Sequence, residues 1–310
     1  SSAVGWGQLS ADPLLNHGGV VLSLAALPVV TFLFSVRLDL GLALVACSAP
    51  FYLVPAELHY RALSLPEALV VLCLAAAAVR RWILAPLPDS GRRRGETSVR
   101  LSAVDVGVVL LVLSAIVSGA AADQLPAALF ELRAVFLVPA VYYALMRLVP
   151  TGRRDRQRIV DGFLLGAVGV AVVGLVQAGL GRNLAAAEGG LRRLQSVYHS
   201  PNNVGLYLGR AWPFLAVGAL MGEEGRRRTV AVIGLVVVSA AVGLSFSRGA
   251  ILFALPISIL VMGWWVGGRY RWGALAVVGV LAIVLAPMMR LPRFAALFDL
   301  GEGTTFLRLR

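Results

Sequence analysis

Lysine is absent from this 310-residue chain, whose 28 basic residues are all arginine. Charge of either sign is scarce, at 14% of residues, where ordinary globular chains carry about 25%. The two cysteines, Cys47 and Cys73, both fall in apolar runs, so neither a disulfide framework nor a cysteine metal site is indicated. The three histidines (His17, His59 and His199) are too dispersed for a zinc cluster. With 59% of residues hydrophobic, these shortages exclude a water-soluble enzyme, a disulfide-stapled scaffold and a disordered tail.

What fills the chain is alanine, valine and leucine, in runs long enough to cross a bilayer, which takes about 20 residues each. The runs are 18–36, 38–54, 64–84, 103–121, 127–149, 159–180, 204–221, 229–246, 249–266 and 273–289. The expected fold class is therefore all-α and polytopic, a single transmembrane helical domain over 1–310 with about ten crossings. The chain begins Ser1-Ser2 and ends Leu309-Arg310, and both ends read as cut from a longer protein.

A net charge of +12 would suggest nucleic acid on a soluble protein. Here the arginines gather between apolar runs, at Arg80 and Arg81, Arg92 to Arg94, Arg153 to Arg158, and Arg226 to Arg228. That is the pattern that holds short loops on the cytoplasmic side. Membrane lipids, not nucleic acid, are the expected surroundings. Alternation then places 181–203, the turn at 247–249 and 290–310 on the outer side, the last as the start of a large outer loop.

The outer segments break the sidedness bias. Loop 181–203 carries Arg182, Arg192 and Arg193 against Glu188, and Arg248, Arg290, Arg293, Arg308 and Arg310 fall on the same side. Within or near spans lie Glu131, Arg133 and Arg210, and ionisable groups there face protein or water. Glu131 and Arg133, two apart, diverge on a helix, so each needs its own partner. Pro139, Pro213 and Pro256 interrupt spans and are expected to bend them.

Two segments concentrate chemistry. In the first, Ser200-Pro201-Asn202-Asn203 leads through Tyr207, Leu208 and Arg210 to Pro213, with Pro201 at a helix start and Ser200 or Asn202 as its cap. Amides at such a start favour anions, although plain capping of one more membrane helix explains the residues equally well. In the second, Ser247-Arg248-Gly249-Ala250 reads as a tight outer turn, Gly249 supplying backbone freedom. Its arginine either serves a ligand or snorkels to headgroups.

In this order the two segments resemble the O-antigen ligase and O-antigen polymerase superfamily of bacterial inner-membrane glycan transferases. The upstream order is similar too: Ser64-Leu65-Pro66-Glu67 opening a helix, Arg133 in a later one, and Gly174-Leu175-Val176-Gln177 before the outer loop. Gly301 to Thr305, followed by Arg308, is like the family's arginine ahead of a tryptophan-bearing helix. The resemblance implies a GT-C-like multi-helix bundle in the inner membrane with its active site facing the periplasm. It implies transfer of a glycan from a polyprenyl (undecaprenyl) diphosphate carrier to a hydroxyl acceptor, on a glycan, lipid or other molecule, without a metal or cofactor. Arg248 and Arg308 would engage the diphosphate. The family's catalytic histidine would follow residue 310.

The residues themselves agree with metal-free chemistry. Outer-side Asp-x-Asp or Glu-x-Asp pairs, the usual holders of a divalent ion at a departing diphosphate, are missing. Guanidinium groups are the substitute, planar, permanently charged and able to grip phosphate oxygens in pairs. His199 is the candidate base or hydrogen-bond partner, with a loop or capping role as its alternative. Arg210, Asn202, Asn203, Arg192, Arg193 and Arg133 are the candidate substrate contacts. Two rivals stand beside a ligase: a repeat-unit polymerase of the same superfamily, and a transporter or flippase for a lipid-linked or anionic solute. The second predicts internal repeats and midplane charge, and no convincing repeat is found.

Overall fold

The computed structural model describes residues 28–53, 55–58, 61–82, 101–148, 152–186, 192–198, 200–222 and 224–286. His199, Arg308 and the rest of 290–310 lie outside the described residues, as does the first part of the run at 18–36.

Helices dominate. They are α1 (Pro28–Val36), α2 (Leu38–Ser48), α3 (Leu65–Trp82), α4 (Ala103–Ala120), α5 (Leu125–Glu131), α6 (Val138–Leu148), α7 (Arg153–Gly179), α8 (Pro201–Met221), α9 (Arg226–Ser245), α10 (Leu255–Val266) and α11 (Arg269–Leu285). Where they are described, the apolar runs read from the sequence are helical over most of their length. Among the described residues, five helical stretches are long and apolar enough to cross a membrane: Ala103–Ala120, Leu125–Arg147, Arg153–Gly179, Pro201–Met221 and Arg226–Ser245. A sixth arises if α1 and the helical stretch Leu38–Tyr52, bent by 113° at the break between them, count as one broken span. Large side chains such as Val117, Leu165, Trp264 and Ile283 are exposed along these helices, as suits surfaces solvated by lipid. This is an all-α membrane protein.

The helices gather into two compact units, Ser1–Ser48 with Val54–Gly162, and Ala49–Leu53 with Phe163–Arg310. In the first, Leu38, Leu42 and Val45 of α2 pack with Val70, Cys73 and Ala76 of α3 and Leu145 of α6. A short antiparallel hairpin, β1 (Pro55–Leu58) with β2 (Arg61–Ser64), leads into α3.

Several polar side chains in this unit are paired. At the start of α3 the Glu67 carboxylate, only 4% exposed, accepts a hydrogen bond from the Ser64 amide (2.8 Å) and another from Arg133 Nε (3.2 Å). Arg133 thus finds its partner 66 residues away, as its divergence from Glu131 on the helix requires. Asp105 closes a capping box with Ser102 at the start of α4, and takes a two-point grip from Arg147 (2.9 and 2.8 Å) and the Tyr143 hydroxyl (2.6 Å). Arg133→Ala is expected to lower stability by about 1–3 kcal/mol, because it takes a donor from a buried carboxylate. Thermal unfolding in detergent reads the change.

Two of the prolines expected to bend their spans share a local setting. Pro139 and Pro256 each follow a π-helical turn, Leu132–Leu137 and Ala250–Ala254, closed by Val138 N–H to Arg133 O and Leu255 N–H to Ala250 O. A proline lacks its own donor and its ring presses on the preceding turn. The wider winding makes room for it.

The second unit packs α7, α8 and α9 around Val170, Ala171, Val204, Leu208, Val238 and Val242. The Trp212 indole donates to Ser239 Oγ (2.9 Å), joining α8 to α9. Between α7 and α8 the chain forms a second antiparallel hairpin, β3 (Leu184–Ala186) with β4 (Arg192–Leu194), in the register Ala185 to Arg193. No strand is expected there from the sequence, in which 181–203 reads as loop.

Candidate functional site at the α8 entrance and the Arg248 turn

The second unit brings together the two segments singled out in the sequence. Pro201 occupies the first position of α8 and Ser200 the N-cap, with extended backbone, although its side chain makes no capping hydrogen bond. Asn202, Asn203 and Arg210 are exposed.

The turn after α9 is tighter than the sequence suggests, and differently built. Phe246, not Gly249, takes the left-handed conformation (φ 43°), and its amide bonds back to the Gly243 carbonyl. Ser247 alone connects it to the next helix, where the Ile251 amide reaches the Ser247 carbonyl at 2.9 Å. Gly249 already has ordinary right-handed dihedrals, and a Cβ there would meet open space. The expectation that Gly249 supplies the freedom is therefore corrected. Arg248 is half-buried in the first turn leading to α10.

Small residues let α8 approach this turn. A Cβ built on Gly205 would collide with Ser247, lying 2.6 Å from its Oγ, and one on Gly209 would lie 3.2 Å from the Ala254 Cβ. Ser245 and Ser247 are buried here, with the Ser247 amide donating to Ser245 Oγ.

Arg193 ties the pieces. Its guanidinium is buried, with the whole residue only 6% exposed. Nε donates to the Ser245 carbonyl (2.9 Å), and Nη2 to both Asn202 Oδ1 (2.9 Å) and the Phe246 carbonyl (3.3 Å). Arg192, its neighbour on β4, is exposed and leaves the strand on the opposite side from Arg193. The sequence puts both in one role; the structure separates them.

A second strut fixes the loop ahead of α8. Asn183, with left-handed backbone (φ 49°), donates its amide to Gln177 Oε1 (3.0 Å) and to the Ser196 carbonyl (2.6 Å). Ser196 Oγ in turn donates to the Val170 carbonyl (2.7 Å). Leu194 lies against Gly174, where a Cβ would be 2.5 Å from its Cδ2. Gly174 and Gln177 of the sequence motif thereby act as the seat of the hairpin. Neither Asn183 nor Ser196 stands out in the sequence, and only their tolerance of left-handed or turn geometry hints at a role.

Tyr198 is buried between Tyr207 and Tyr52, at ring separations of 5.7 and 6.4 Å. Burial, reinforced by the two tyrosines, pushes its hydroxyl well above the usual range, and the Arg210 charge offsets this in part. Beside the hairpin lies an open cleft of about 410 Å³, lined by Leu175, Ala178, Gly179, Leu184, Leu194 and Leu244, with Arg192 as its charged member. Arg133, the remaining candidate contact, belongs to the first unit and is engaged with Glu67. Among the described residues no group of three or more His, Cys, Asp or Glu side chains is arranged to hold a metal ion.

Comparison with protein-family models, with curated proteins and with solved structures finds no match to this chain.

Proposed function

We propose that this chain is a membrane glycan transferase, O-antigen ligase-like, working on a polyprenyl-diphosphate-linked donor. In this reading about ten helices cross the bacterial inner membrane as a GT-C-like bundle whose site faces the periplasm. The acceptor hydroxyl attacks the anomeric carbon as its bond to the diphosphate oxygen breaks. The electron pair leaves with the diphosphate, and the hydroxyl proton passes to a base, with His199 the candidate. Arg248 and Arg308 neutralise the leaving group, while Arg210, Asn202 and Asn203 contact substrate. Permanent guanidinium charge does here what a metal ion does elsewhere.

One observation carries the reading. The two segments on which the resemblance rests, distant in sequence, are joined by Arg193 and by the fit of Ser247 against Gly205.

Deleting the gene should cause the carrier-linked glycan to accumulate on the outer face of the membrane, with loss of the acceptor-linked product. Accumulation on the inner face would favour a flippase, and an unchanged pool would exclude both. Transfer by membranes containing the protein is expected to persist in excess EDTA. Loss of activity that magnesium restores would refute the metal-independent mechanism.

A further inference from the structure

We infer that Arg193 is a positioning residue: it clamps the Arg248 turn to the α8 entrance so that the two act as one rigid element. A buried guanidinium is costly unless its donors are matched. Nε and Nη2 of Arg193 are turned to the end of α9 and to the first turn of α8, and these are the two places where the resemblance puts substrate contacts. The Ser245 and Phe246 carbonyls sit at a helix C-terminus, where backbone acceptors lack intrahelical donors and the helix dipole is negative. A cation is the natural cap there. It comes from a strand 52 residues earlier in the chain.

The clamp also accounts for the backbone. Phe246 is a bulky residue in a left-handed conformation that such residues seldom adopt. Binding both Ser245 O and Phe246 O fixes that conformation, and Arg248 begins the next helix two positions later. On the other arm, the bond to Asn202 Oδ1 sets which way the Asn202 amide turns. One planar fork reaches in both directions, which a single ammonium cannot do. Arg193 is thus removed from the set of candidate substrate contacts and placed behind them.

The part of the inference that concerns substrate rests on the proposed function; the clamp itself does not. The test therefore reads both, on the full chain in nanodiscs. Gly249→Cys is the reporter, because this exposed position has ordinary dihedrals and open space. Its labelling by a hydrophilic maleimide is compared with and without Arg193→Lys, Arg193→Gln or Asn202→Ala, with the background from Cys47 and Cys73 subtracted. Both Arg193 variants are expected to label on the order of tenfold faster, since each loses charged hydrogen bonds holding the turn. Asn202→Ala should give a smaller increase, and it carries the test if the Arg193 variants do not fold. Wild-type labelling in folded Arg193→Lys would show that charge alone suffices and overturn the clamp. So would unchanged labelling in Asn202→Ala where no Arg193 variant folds.

The second arm measures binding of undecaprenyl diphosphate. Arg193→Lys is expected to weaken it on the order of tenfold, and Arg193→Lys with Arg248→Lys to be no weaker than Arg248→Lys alone. Additive losses would mean that Arg193 does not act through Arg248, overturning its positioning role. Should the wild-type chain bind no lipid diphosphate while labelling still responds to Arg193, the clamp stands and the proposed function falls.

Discussion

Arg248→Lys is expected to reduce glycan transfer by a factor of about 10²–10³, and Arg248→Ala at least as much, with insertion into the membrane unchanged. Lysine keeps the charge but loses the planar fork that holds two phosphate oxygens at once. Arg248 also sits at a helix start made rigid by the preceding residues: Phe246 in a left-handed bend, Ser247 as sole connector, and Ser245 and Phe246 carbonyls held by Arg193. A shorter reach cannot be recovered by moving a backbone so held. Transfer in membranes, normalised to protein recovered as a single gel-filtration peak, measures the loss. Normal transfer by Arg248→Lys would contradict paired contacts to phosphate.

Gly205→Leu should have a comparable effect by a different route. Even a Cβ at 205 meets Ser247, so a leucine there must push the turn off α8. Overpacking of this kind costs about 1–3 kcal/mol, and it moves Arg248 relative to Asn202 and Asn203 without removing any of them. Transfer is expected to fall about 10²-fold, as misplacement of a catalytic group by about 1 Å does. Gly249→Ala is the contrast. Its Cβ enters open space at right-handed dihedrals, so stability should stay the same or rise by about 0.4–1 kcal/mol. Thermal unfolding of the two variants separates them, and a Gly205→Leu protein that transfers normally would show that the α8 contact is dispensable.

The helices are legible in the sequence because lipid imposes a simple rule: apolar runs of sufficient length must satisfy their own backbone, and a helix does so. The boundaries of α4, α8 and α9 follow from local chemistry, with Ser102 capping, Pro201 opening and the arginines of 226–228 at one end. The β3–β4 hairpin is not legible. Its strands are three residues each and of unremarkable composition, and it exists because Leu194 seats on Gly174 and Arg193 on the α9 terminus.

The site is half legible. Asn202 and Arg248 draw notice by residue type and order, whereas the separation of Arg192 from Arg193 depends on strand alternation in a segment that reads as loop. Gly249 misleads for a related reason. A glycine beside a turn suggests a left-handed position, yet tertiary hydrogen bonds hold Phe246 there instead. For Arg133, helical geometry excludes Glu131 as partner but cannot name Glu67, whose contact depends on the packing of α3 against the later helix.

The two π-helical turns bear on how this chain tolerates length change. Such a turn takes up one residue more than a regular helix would use, while the segments before and after it stay in phase. Removing one residue from Ala250–Ala254 or Leu132–Leu137 would therefore leave both flanking faces pointing as before. What vanishes is the clearance ahead of Pro256 or Pro139, so at these two places the imino acid rather than helical phase forbids a deletion.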